Sequence, residues 1–147
     1  DFRLLVNLLP KIPAVAILPE QAYHVFYRYG SNTRTRDENV FPRVFADIVC
    51  NADRVEEIVA KEYPALQEEA VRFALYQRLD YLLHIPVSMM TRDNDFYVKV
   101  CSYLKKHRRD IRKNAYLTKK NRQYLLLLSY APAFVRKVHK TIKKWSQ

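Results

Sequence analysis

At 147 residues and 49% apolar content, the chain is long and apolar enough for one domain with a real core, which excludes an intrinsically disordered segment. It holds a single glycine, Gly30, so the Gly-rich phosphate loops of the dinucleotide-binding and Walker types, which need several glycines at fixed spacing, are excluded as well. The formal charge of +11 is uneven: residues 1–100 carry 12 Lys+Arg against 14 Asp+Glu, and residues 101–147 carry 14 against Asp110 alone, which points to an anionic partner, either nucleic acid or an acidic membrane surface.

In chain order, Leu4, Leu5, Leu8 and Leu9 recur at helical spacing and Pro10 and Pro13 end the pattern, so residues 2–9 are expected to form a short helix. Ala14-Val15-Ala16-Ile17-Leu18 is a continuous apolar run closed by Pro19, the pattern of a buried strand. A lone strand leaves its backbone groups unsatisfied, and the remaining sequence offers no obvious partner. Together with the opening on Asp1 rather than Met, this suggests a piece of a larger protein.

From about Val40 the pattern is helical. Val44, Phe45, Ile48, Val49, Ala52, Val55, Ile58 and Val59 form one stripe ending at Tyr63-Pro64. Leu66, Ala70, Phe73, Ala74, Tyr76, Leu79, Leu82 and Leu83 form a second, ending at Pro86, and the two predict an antiparallel pair. A third helix capped by Asp93 or Asn94 carries Phe96, Val98, Val100, Tyr103, Leu104 and Ile111. A fourth, capped by Thr118, carries Tyr124 to Tyr130, and Pro132 marks a break before Phe134 to Trp145. Cys50 and Cys101 lie on these helices without metal spacing, as expected of buried free thiols in a reducing compartment. No stretch reaches about 18 uncharged apolar residues and no signal-peptide pattern is present.

The run Tyr23 to Thr35 has its own chemistry. With Gly30 at the tightest point of a turn, backbone N–H groups and the Ser31 and Thr33 hydroxyls would face a diphosphate, with Arg28 and Arg34 supplying bidentate charge-assisted bonds. Composition by itself favours an ordinary polar surface loop.

Asp1, the apolar helix after it, the run Val15 to Leu18, Pro19-Glu20 and then Tyr23-His24-x-x-x-Arg28-x-Gly30-Ser31-x-Thr33 together resemble the closing segment of a bacterial family 2 glycosyltransferase. The similarity covers about the first 36 residues. The stretch Ala74 to Tyr81 and the basic helices are loosely similar to the helical C-terminal extensions of such enzymes. The resemblance implies that Asp1 is the general base that takes the acceptor hydroxyl's proton, a task for which a closed site lifts a carboxylate's pKa; a helix N-cap is the alternative role for it. It also implies that His24 and Arg28 lie near the donor diphosphate or its metal. Where the family often has another arginine this chain has Phe26, and the Asp-x-Asp metal motif on its nucleotide-binding half is absent; Asp93-Asn94-Asp95 does not replace it. The parent enzyme would use a nucleotide-sugar with Mg or Mn, no cofactor being implied within this chain, and the chain alone would be inactive.

The basic tail divides into two faces. Phe134, Val138, Ile142 and Trp145 share one side, while Arg136, Lys137, Lys140, Lys143 and Lys144 fall largely elsewhere, an arrangement suited to an anionic headgroup region with Trp145 at the interface. A solvated basic face above a bundle stripe is the structural alternative. The rival function is a basic helical nucleic-acid-binding module, since Lys105-Lys106-x-Arg108-Arg109-x-x-Arg112-Lys113 would neutralise phosphates. No nucleic-acid fold signature accompanies it, and the tyrosines are placed as core rather than as stacking platforms.

The expectation is therefore a mainly α chain. Residues 1–36 form a helix-strand-loop remnant of an α/β nucleotide-sugar transferase domain, and residues 37–147 a basic bundle of four to five helices. The bundle would brace the missing N-terminal catalytic domain, form a homodimer or dock at a membrane, in a cytoplasmic protein peripheral to the inner face of the cell membrane.

Overall fold

A computed structural model describes residues 2–17, 19 and 41–145. Those residues are mostly helical, and none is in a strand. Helix α1 (Phe2–Leu8) runs into a 3₁₀ turn at Leu9–Lys11, ending where Pro10 removes a backbone donor. The expected strand is corrected over its described part: residues 14–17 have no regular structure and are exposed, Ile17 to 93%. Without a neighbouring strand to take up the backbone N–H and C=O groups, an apolar run does not become a strand.

Helices α2 (Val44–Glu62) and α3 (Gln67–His84) form the antiparallel pair, joined through Tyr63 and a 3₁₀ turn at Pro64–Leu66. Phe45 stacks on His84 at one end with ring centroids 4.3 Å apart, Asp53 pairs with Arg78 in the middle, and Val55 and Val59 pack with Ala70 at the other end. The α2 stripe is buried through Val49, Ala52, Val55 and Val59 as its spacing predicts. Helix α3 is buried more widely than one stripe allows, through Ala70, Val71, Ala74, Leu75, Arg78, Leu79, Tyr81 and Leu82. It is the central helix: α2 covers one side, while Tyr81 meets Phe96, Arg78 meets Tyr103 and Arg72 reaches the Tyr116 carbonyl on others. Leu66, assigned to the stripe, is exposed.

After a 3₁₀ turn at Val87–Met89, helix α4 (Asp95–Lys106) starts at Asn94, whose Oδ1 accepts from the Tyr97 N–H at 3.1 Å. The expected third helix is broken: His107 leaves helical geometry, and α5 (Arg108–Lys113) follows. There the His107 ring stacks on Tyr103 at 4.1 Å and its Nδ1 lies 2.7 Å from the Asp110 carboxylate. Ile111 is still carried into the core, but Val98 stays exposed. Helix α6 (Lys119–Tyr130) is capped by the Thr118 hydroxyl, which accepts from the Asn121 N–H at 3.3 Å. Pro132 then disfavours helical geometry at Ala131, which sits at φ −143°, and opens α7 (Pro132–Trp145) at its own first position.

The core runs through α2, α3, α4, α5 and α6, with Leu75, Leu82, Ile85, Leu104, Ile111 and Leu125 fully enclosed. Each such side chain contributes ~1.5–3 kcal/mol relative to exposure. Helix α1 joins a smaller cluster, with Val6 against Val55, Val59 and Ala70. The cysteines are free, but burial is corrected: Cys50 is exposed, and only Cys101 is half-buried, its thiol pushed up by burial.

Candidate functional site

Asp1, His24, Arg28, Gly30, Ser31, Thr33 and Arg34 lie outside the described residues. Within α7, the side chains of Lys140, Ile142, Lys143, Lys144 and Trp145 lie outside them too. Of the basic residues assigned to the outer face of α7, Lys137 is exposed as expected, whereas Arg136 is corrected: it is 5% exposed and turned into the bundle.

The surroundings of Arg136 are unusual for a cation. Its Nη1 donates to His139 Nδ1 at 3.2 Å, and a guanidinium has no acceptor, so that imidazole nitrogen is the unprotonated one. The Tyr124 ring meets His139 edge-on at 5.7 Å, and the buried Tyr124 hydroxyl, which acts electrostatically on Arg136, has no hydrogen-bond partner among the described residues. Burial lowers the Arg136 pKa, partly offset by Tyr124, and burial raises that of Tyr124 in turn. Among the described residues no carboxylate pairs with Arg136, and its Nε has no hydrogen-bond partner.

This inward placement fixes the rotation of α7. Ala133 and Val135 pack on the core and Arg136 lies inside, so the opposite side points away from the bundle. Phe134 and Val138 sit one turn apart on that side, 67% and 41% exposed. Leu127 and Tyr130, near the end of α6, are exposed as well. The expected alternative, an apolar face of α7 turned to the core beneath a basic outside, is therefore reversed at Arg136, which is inside, and at Phe134 and Val138, which are outside, while Lys137 keeps to it.

The other basic residues divide by structural use. Arg108 donates to the Ser129 hydroxyl and carbonyl at 3.1 and 2.6 Å and lies 3.8 Å from the Tyr130 ring centroid, while Arg112 donates to the Tyr130 hydroxyl at 3.1 Å. Arg122 closes the α5–α6 connection by donating to the carbonyls of Asn114 and Leu117. Lys105, Lys106, Arg109, Lys113, Lys119 and Lys120 are exposed and give the α4–α6 surface a positive field. Thus the basic run contains both packing arginines and solvent-facing lysines, a distinction its spacing does not display.

A second polar centre, not singled out by its sequence, joins α2, α3 and α4. Arg78, 1% exposed, pairs with Asp53, donates to the Ala74 carbonyl at 3.0 Å and stacks over Tyr103. Lys99 meets the other Asp53 oxygen at 2.9 Å, and the Tyr103 hydroxyl donates to Glu56 at 2.7 Å. Burial, reinforced by Glu56, pushes the Tyr103 pKa up. The signal was present: Arg78 stands four residues after Ala74 and four before Leu82 within the apolar pattern. Its groups pair with one another apart from the buried Arg78 Nε, which has no hydrogen-bond partner among the described residues, and the centre is structural. An open groove of about 320 Å³ between α1 and α2 is lined by Asn7, Arg54, Glu57, Ile58, Lys61 and Glu62, with the Arg54–Glu57 ion pair at 2.8 Å along its α2 wall.

Among the described residues no group of three His, Cys, Asp or Glu is placed to hold a metal ion, and no helix is long and apolar enough to cross a membrane. No known protein family, curated protein or solved structure matches this chain.

Proposed function

We propose that this chain is the C-terminal part of a glycosyltransferase, transferring a sugar from a nucleotide-sugar donor to a cell-envelope or polysaccharide acceptor, and that its helical bundle braces the catalytic domain. The observation that carries the reading is α1, taken with the sequence run Tyr23-His24-x-x-x-Arg28-x-Gly30-Ser31-x-Thr33 that follows it. Val6 packs on the bundle, while Leu4, Leu5, Leu8 and Leu9 are 44–64% exposed. A seven-residue helix is too short to persist by its own hydrogen bonds, so a leucine-rich exposed side is the part another domain would cover. The helix thereby links the bundle, through Val55, Val59 and Ala70, to a body on its other side.

In this proposal Arg28, Arg34, Ser31 and Thr33 take the donor diphosphate, His24 lies beside it, and Asp1 accepts the acceptor's proton. The divalent cation, Mg or Mn, would be held by the catalytic domain.

The test is nucleotide release from a panel of nucleotide-sugars by the protein carrying this chain with its natural upstream sequence. Metal-dependent release that falls by tenfold or more in Arg28→Ala, with melting unchanged, is the expected result. An upstream sequence with neither a Glu before Asp1 nor an Asp-x-Asp motif overturns the proposal.

A further inference from the structure

We infer that the outward face of α7 docks on a bilayer surface rich in anionic phospholipid. The inference rests on how α7 is seated and stands or falls independently of the transferase proposal. Phe134 and Val138 project from the bundle one turn apart, and Lys137 is exposed beside them. On the opposite side Arg136, Ala133 and Val135 are packed inward, so the helix cannot bury Phe134 without drawing Arg136 out of its contacts with Tyr124 and His139. The apolar face is therefore held outward by the fold.

Charge decides what covers it. Residues 101–147 carry 14 Lys+Arg against Asp110, and Lys105, Lys106, Arg109, Lys113, Lys119, Lys120 and Lys137 are exposed. A second copy would bring together two chains that each carry a formal charge of +11, which like-charge repulsion opposes. A nucleic acid offers phosphates but no apolar phase, and Val138 has no π-face on which a base would stack. An anionic leaflet offers both: headgroup phosphates for the lysines and an acyl boundary for Phe134 and Val138. No described helix is able to cross the bilayer, so the mode is a helix lying in the interface plane with its apolar side entering the headgroup–acyl boundary.

The experiment is flotation of the full chain with vesicles of phosphatidylcholine alone and of phosphatidylcholine with phosphatidylglycerol, at low and high salt, beside a gel shift with duplex DNA and RNA. Binding is expected only to the anionic vesicles, weakened by salt. The exposed pair Phe134→Ser/Val138→Ser should lower vesicle affinity by about tenfold or more without changing the melting temperature. Arg136→Met, altered on the buried side, should bind vesicles as the parent does.

Equal binding to neutral and anionic vesicles, or anionic binding unchanged in the serine pair, overturns the inference. So does nucleic-acid binding without vesicle binding. A dimer that the serine pair dissociates, again without vesicle binding, assigns the face to a second copy and overturns it too.

Discussion

The guanidinium of Arg78 lies 3.4 Å from the centroid of the Tyr103 ring while it pairs with Asp53, so one buried cation from α3 joins α2 and α4. Removing Arg78 takes away the buried partner of Asp53, leaving it only the exposed Lys99, and strips Tyr103 of its stacked cation, whereas an exposed ion pair contributes little. Arg78→Ala is expected to cost about 3 kcal/mol or more. Lys99→Ala, at the 61% exposed side chain that also meets Asp53, should cost under about 1 kcal/mol. Urea denaturation of both variants checks the contrast; equal costs would show that Asp53, not the stack on Tyr103, carries the joint.

Alkaline pH should loosen the core through its tyrosines. Burial, with a smaller contribution from Cys101, pushes the Tyr81 pKa to about 12, and burial raises those of Tyr97 and Tyr103. The unfolded phenols ionise first, near pH 10, so stability is intact below that pH and falls as pH rises toward 12. Tyr81→Phe keeps the ring that meets Phe41 and Phe96, and should flatten the decline by on the order of 2 kcal/mol at pH 12. Melting curves between pH 8 and 12 measure it, and an unchanged slope contradicts the assignment.

Arg136 should behave opposite to Arg78. It is buried without a carboxylate among the described residues, so its desolvation is poorly compensated. Arg136→Met is expected to leave stability unchanged or raise it by about 1 kcal/mol. A large loss in thermal melting would mean that its bond to His139 outweighs that cost.

The two helix caps should differ. Asn94 accepts from Tyr97 and also donates to the Met89 carbonyl at 3.0 Å, whereas Thr118 makes the single cap bond to Asn121. Thr118→Ala should cost about 1 kcal/mol and Asn94→Ala more, because it also frees the turn before α4. Chemical denaturation orders the pair, and a costlier Thr118→Ala is the contrary outcome.

The sequence by itself determined what acts within a turn or two of the backbone. The caps at Asn94 and Thr118, the break at Pro132, the end of α1 at Pro10 and the inward stripe of α2 follow from local hydrogen bonding, proline geometry and helical period, so the mainly helical bundle was legible. Only the tertiary structure decided matters that depend on partners. Residues 14–17 have the composition of a strand, but among the described residues there is no strand beside them. Helix α3 buries Val71, Leu75, Arg78 and Tyr81 beyond its stripe because neighbours surround it. The periodicity of α7 separates its apolar side from its basic residues, but it does not say which side meets the bundle. Pro132, the packing of Ala133 and Val135, and the contacts of Arg136 with Tyr124 and His139 decide that together, leaving Phe134 outside.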